Sequence, residues 1–378
     1  MKRLLSTALC VLMLLPICCL RVYAVAQDEI SAPSAELIDA NSGKILFEKN
    51  KDEKRACASI TKVMTLLLVM EALDDEKLHL DDVVTASAHA ASMGGSDIWL
   101  EEGEQMTADD MIKATAVASA NDAAVALAEH ICGSEDDFVA LMNQRAKDLG
   151  MKNTTFLNCN GLDEEGHLSS AYDVALMSQE LLKHKKILDY TSIWLDTLRG
   201  GETQIVNTNK LLKSYQGITG LKTGTTSQAG SCITASAERD GLSLIAVVLG
   251  ADSGTARFKD AAALLDYGFA NFETVTVEEN EALFPIAVEG GMQDQAELIC
   301  DSRISLTVPK GSDANIKKKT DIAESLTAPV KKGQKVGTLT YSIGGEEIAR
   351  FDILTAEEVE KKTFSAVMGE VLKALIKL

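Results

Sequence analysis

The chain has 378 residues and carries 37 Lys and Arg against 56 Asp and Glu, a formal net charge of −19; 46% of it is apolar and only 4% aromatic. That length allows two domains with a proper core, and the acidic balance argues against nucleic acid or anionic lipid as a partner of the chain as a whole. The histidines, His79, His89, His130, His167 and His184, are scattered without a His-Glu-x-x-His pattern, so neither a metal centre nor any other cofactor is expected.

Residues 1–26 read as an export signal: Lys2 and Arg3, the uncharged run Leu4 to Leu20, Arg21, then Ala24-Val25-Ala26 as a small-residue cleavage site. The run is short for a membrane span, and an uncleaved anchor is the alternative. Cleavage would remove three basic residues and no acidic one, taking the charge from −19 to −22, and would leave Cys57, Cys132, Cys159, Cys232 and Cys300. Their spacing suggests neither a disulfide framework nor a zinc site.

Beyond the signal, Ala35 to Ile38 and Lys44 to Lys49 flank Asp39-Ala40-Asn41-Ser42-Gly43, which predicts two strands joined by a hairpin turn. After Cys57-Ala58 the pattern turns helical, with Ser59 in the first turn and Val63, Met64 and the run Leu66 to Met70 behind it. Helices dominate as far as His184. Two of them, Thr107 to Ala118 and Asp122 to His130, meet at a corner holding Ser119 and Asn121, and another starts at Ser134 with Asp137 three residues on. Gly220 to Thr226 is expected on a strand edge ahead of two further strands, Ser231 to Ala237 and Leu242 to Leu249, and Thr255 to Asn271 reads as a final helix. Strands at both ends with helices between imply an α+β domain with a helical lobe and a cleft beside the sheet.

From 274 to 355 the chain is rich in Val, Thr, Ile, Gly and charge, with alternation in Glu297 to Val308 and Val336 to Ile343, which predicts a small all-β domain. The stretch Val359 to Leu378 then places Phe364, Val367, Met368, Val371, Leu372, Leu375 and Leu378 on one helical side. Such an amphipathic helix either lies on a membrane surface or docks on the β domain. The expected division is 1–26 signal, 27–272 catalytic domain, 273–356 β-rich domain and 357–378 amphipathic helix.

Three strings hold the chemistry. Ser59-Ile60-Thr61-Lys62, Ser119-Ala120-Asn121 and Lys222-Thr223-Gly224 occur once each, in that order. Ser59 and Lys62 share a helix face, and a serine hydroxyl becomes a nucleophile when a base takes its proton. A lysine serves as that base only if burial or a nearby cation, here Lys222, lowers its pKa. Ser119 could relay a proton to a leaving amine. Lys222 and Thr223 could hold a carboxylate, and Gly224 would let an extended peptide lie against the strand. The backbone N–H groups of Ser59 and Thr225 are candidates for an oxyanion hole. Each string alone is better read as helix capping or turn chemistry.

In combination they resemble the low-molecular-mass penicillin-binding proteins of the D-alanyl-D-alanine carboxypeptidase type. The likeness extends over about residues 33–272 and includes Ser119 to Ala124, Gly161-Leu162, Gly166 to Asp173, Gly220 to Thr226 and Leu265-Asp266-Tyr267-Gly268-Phe269. It implies a β-lactamase/transpeptidase-like catalytic fold. Ser59 would be the acyl-ester nucleophile, Lys62 the general base and Ser119 the proton relay. Asn121, Lys222, Thr223, Gly224 and Thr225 would line the substrate cleft, with Arg257 helping to hold a terminal carboxylate. The implied partners are peptidoglycan stems ending in D-Ala-D-Ala, β-lactam antibiotics and the outer face of the cytoplasmic membrane, reached through the C-terminal helix. Two departures stand out: Ala120 where the family often has Gly, and Cys57 where Pro commonly precedes Ala-Ser. A DD-endopeptidase, a β-lactamase and an inactive wall-binding protein remain as alternatives. The β-lactamase lacks support because no Glu-x-x-Leu-Asn string occurs.

Overall fold

The computed structural model describes residues 27–278, 283–300 and 303–376; the expected signal segment lies outside them. Strands β1 (Ser34–Asp39) and β2 (Ile45–Lys49) form the predicted hairpin. A 3₁₀ turn, Ala58–Thr61, leads into α1 (Lys62–Asp74), which is apolar all round and accordingly buried on nearly every side. Helix α2 (Ala108–Lys113) runs on through a wide π turn, Ala114–Ala118, to the corner before α3 (Asn121–Cys132). Helices α4 (Glu135–Asp148) and α5 (Ala171–Lys183) start at Ser134 and Ser170, whose side chains accept from the N–H groups of Asp137 and Asp173.

The chain then returns to the sheet with β3 (Ile218–Thr226), β4 (Gly230–Arg239) and β5 (Leu242–Ala251), and closes with α6 (Gly254–Asn271). The antiparallel sheet has the order β2-β1-β5-β4-β3, so the lysine-bearing strand β3 is an edge. Ile245, Val247 and Leu249 face the helical lobe, whereas Leu244, Ala246 and Val248 face α6. A sheet covered on both faces needs this continuous apolar run, and the helices hold β3 against the nucleophile's turn.

Strand β6 (Phe272–Glu278) begins directly after α6 and pairs with β7 (Arg303–Pro309). Beyond them β8 (Lys317–Ile322), β9 (Lys335–Ile343) and β10 (Glu346–Thr355) form most of a second antiparallel sheet. The core of this all-β domain includes Ile304, Leu306, Leu339, Tyr341 and Ile353. Thr307 ties it to the first sheet: its Oγ1 donates to Asp39 at 2.8 Å and its carbonyl accepts from Lys44 Nζ at 3.2 Å.

The final helix, α7, spans Phe364–Ile376 and starts five residues later than the periodicity predicts. Val359 is fully buried and bridges to Val330, so this part of the apolar pattern belongs to the β domain. Among the described residues no helix is long and apolar enough to cross a membrane.

Candidate active site

The 3₁₀ turn, the π-turn corner and edge strand β3 converge, and they bring all three sequence strings together. Lys62 Nζ lies 3.1 Å from Ser59 Oγ, 2.5 Å from Asn121 Oδ1 and 2.6 Å from the carbonyl of Asn160. Lys222 Nζ donates to Ser119 Oγ at 2.8 Å and to the Thr223 carbonyl at 2.9 Å. Asn121 is fixed at its other end by donation from Nδ2 to the Gly94 carbonyl at 2.6 Å. Ser119 adopts φ +64°, a left-handed conformation at the end of the π turn that sets its hydroxyl beside Lys222.

Burial sets the electrostatics. Lys62 is fully buried, and desolvation of its ammonium pushes its pKa down to about 7, although the Asp97 and Asp122 carboxylates pull the other way. The sequence pointed to Lys222 as the cation that would do this; burial is the cause that lowers Lys62, and the repulsion between the two ammonium groups falls on Lys222 instead. Lys222 is itself pushed well down, first by burial and then by the charges of Lys62 and Arg257.

Two glycines let the backbone close up around the nucleophile. A Cβ on Gly224 would lie 2.8 Å from both the Ser59 nitrogen and the Cys57 carbonyl oxygen. At Gly161, which sits at φ +85°, it would lie 2.0 Å from the Ala58 carbonyl oxygen. Thr223 Oγ1 donates to Thr208 at 2.6 Å. Arg257 Nη1 donates to the Gly224 carbonyl at 2.8 Å and to Thr225 Oγ1 at 2.7 Å, so this guanidinium braces β3 directly.

Cys57 is buried against Thr61, with Sγ and Oγ1 3.5 Å apart, and desolvation pushes its thiol up to about 12. It packs as a small apolar residue and is not poised as a thiolate. His167 is also structural: burial pushes it down to about 4, its Nδ1 accepts from the Leu157 N–H, and Nε2 therefore donates to Thr61 Oγ1 at 2.8 Å. Sequence reasoning missed Asn160, whose backbone oxygen holds Lys62 from 98 positions away, and Thr208 beside Thr223. Their only signal was the turn around Asn160-Gly161 and the approach to β3.

Residues 21–253 match the peptidase S11 family, described as D-alanyl-D-alanine carboxypeptidase. The chain belongs to that family. Residues 272–361 also match the C-terminal domain of penicillin-binding protein 5. D-alanyl-D-alanine carboxypeptidase DacF of Bacillus subtilis (strain 168) is 45% identical over 374 residues, covering 96% of each chain. The solved structure of penicillin-binding protein 5 from Haemophilus influenzae superposes with a TM-score of 0.80 at 33% identity, covering 89% of this chain and all of that one. Penicillin-binding protein D2 of Listeria monocytogenes in its ampicillin-bound form gives a TM-score of 0.59 at 36% identity, over 64% of this chain and 98% of its own. The family's catalytic domain and all-β C-terminal domain are both present here.

Proposed function

We propose that the chain is an exported serine DD-carboxypeptidase that removes the terminal D-alanine from peptidoglycan pentapeptide stems and is inhibited by β-lactams. One observation carries this reading: Lys62 Nζ stands 3.1 Å from Ser59 Oγ in a site that holds its pKa near neutrality. The carbonyl oxygens of Asn121 and Asn160 can only accept, so they engage the two N–H bonds of the neutral amine and leave its lone pair for the Ser59 proton. Ser59 then attacks the carbonyl of the penultimate D-alanine. The Ser59 and Thr225 N–H groups stabilise the tetrahedral oxyanion, and Ser119, held by Lys222, gives its proton to the departing D-alanine nitrogen as it takes the Ser59 proton from Lys62, which returns Lys62 to the neutral amine. Water activated by Lys62 hydrolyses the ester and frees Ser59. Lys222, Thr223 and Arg257 supply the donors and positive potential for the terminal carboxylate, while Asn121 and Gly224 line the stem.

Residues 27–272 serve as the catalytic domain in this reading and 273–356 as a support. Helix α7 presents Phe364, Met368, Val371, Leu372 and Leu375, all exposed, along one side, which supports a peripheral seat on the outer face of the cytoplasmic membrane. The direct test is covalent labelling by a fluorescent penicillin. Wild-type protein takes one label and Ser59→Ala takes none; a labelled Ser59→Ala protein would refute the nucleophile.

A further inference from the structure

Trp99 is 79% exposed, whereas its neighbours Ile98 and Leu100 are buried. Its backbone sits at φ +55°, where a bulky aromatic residue is an outlier, and such strain persists only when the surroundings over-determine it. Here they do. The N–H groups of Ile98 and Leu100 both donate to the Asp122 carboxylate, at 3.1 and 3.0 Å, and the Ile98 carbonyl accepts from Arg199 Nη1 at 3.0 Å. Arg199 is held in turn by Glu104 at 2.6 Å. With both flanking residues pinned in the core, the indole is turned into solvent, where its apolar area gains nothing from folding.

The same loop is bonded to the catalytic corner. The Ser96 carbonyl accepts from the Asn121 N–H at 2.7 Å, and Asp122 directly follows Asn121. Trp99 lies three positions beyond Ser96, a span of at most about 11 Å, while the four stem residues on the acyl side of the scissile bond run out about 14 Å from Ser59. The ring therefore stands within reach of whatever carries the stem. Flanking it in sequence, Ser96, Glu101 and Glu102 are exposed and offer a hydroxyl and two carboxylates to sugar hydroxyl groups.

We propose that Trp99 forms a glycan subsite, its indole face stacking on an N-acetylated pyranose ring of the polymer that bears the stem. This rests on the carboxypeptidase reading for the identity of the polymer. No bond is made or broken at the subsite, so it acts through KM.

The test compares a free pentapeptide ending in D-Ala-D-Ala with the same pentapeptide on an N-acetylglucosaminyl-N-acetylmuramic acid disaccharide. Wild-type protein should show a KM about tenfold lower for the disaccharide substrate. Trp99→Ala should lose that preference with kcat/KM on the free pentapeptide unchanged, and Trp99→Tyr should keep most of it. Equal KM values in the wild type, or a preference that survives Trp99→Ala, would overturn the subsite. If neither substrate is turned over, the carboxypeptidase assignment fails, and fluorescence still decides on the subsite. Trp194→Phe leaves Trp99 as the sole tryptophan. A disaccharide tetrapeptide should shift its emission where the free tetrapeptide does not, and an unmoved spectrum overturns the subsite.

Discussion

The two domains bury very different side chains. The catalytic domain encloses Glu36, Lys62, Asp122, Lys222, Arg257 and Asp260, whereas the only polar residues buried among the described part of the β domain are Thr307 and Thr355. Burying a charge is costly unless it is paired or gives up its charge. A cleft that buries two lysines and pushes both pKa values down suits the proton transfer proposed above. The β domain, built on an apolar core, has the composition of a support. Among the described residues the buried acidic and basic side chains are thus confined to the catalytic domain, and the contrast can be broken or sharpened by experiment.

The largest effect is expected at Lys62. Lys62→Ala should lower kcat/KM for D-alanine release by at least about 10³-fold while leaving the fold intact, because it removes both the base and a buried charge. Comparable activity in the variant would end the argument that the buried amine is the base. Gly161→Ala comes next: its Cβ would meet the Ala58 carbonyl oxygen at 2.0 Å, so about 3 kcal/mol or more of stability should be lost, read as a lowered denaturation midpoint. An unshifted midpoint would mean that the nucleophile's turn is not held by this contact.

The pH dependence follows from Lys62 as well. Acylation requires the neutral amine, so kcat/KM on a short peptide should rise about tenfold per pH unit below the folded pKa of about 7 and level off above it. A profile flat from pH 5 to 9 would contradict the assignment. Glu36 probes stability instead. Neither of its carboxylate oxygens has a partner, and burial is the main cause that raises its pKa from 4.5 to about 8. Between those values the folded state holds a proton that the unfolded state has released, so stability falls as pH rises through this window, and the whole loss is present above about 8. Glu36→Gln should therefore stabilise by about 2 kcal/mol at pH 8 and by much less at pH 5, measured by denaturant unfolding at each pH. The smallest effect concerns the tail: removing residues 364–378 should release the protein from membrane fractions and leave turnover of a soluble peptide unchanged.

Much of the site was legible because its chemistry is local. Ser59 and Lys62 are one helical turn apart, the corner at Ser119 sits between two helical patterns, and Lys222 to Thr225 precede two strong strands, so the elements could be placed from spacing alone. What joins them was not legible. Asn160 reaches Lys62 through the tertiary fold, and the glycine requirement at 161 comes from the Ala58 backbone, 103 positions earlier. The resemblance brought Arg257 into the site, yet only the structure shows its guanidinium bonded to the carbonyl of Gly224. At the C-terminus the apolar period is shared between two structures: Val359 satisfies a helical pattern but is taken by the Val330 bridge, and periodicity cannot tell a buried strand residue from the start of a helix.

The central claim is that a buried lysine activates Ser59 to cleave a D-Ala-D-Ala bond, and the most direct measurement is D-alanine released from a pentapeptide ending in D-alanyl-D-alanine by residues 27–378. Steady release by the wild type, abolished in Ser59→Ala, is the predicted result. Undiminished release by Ser59→Ala, or none by a wild-type protein that still takes the penicillin label, would contradict it.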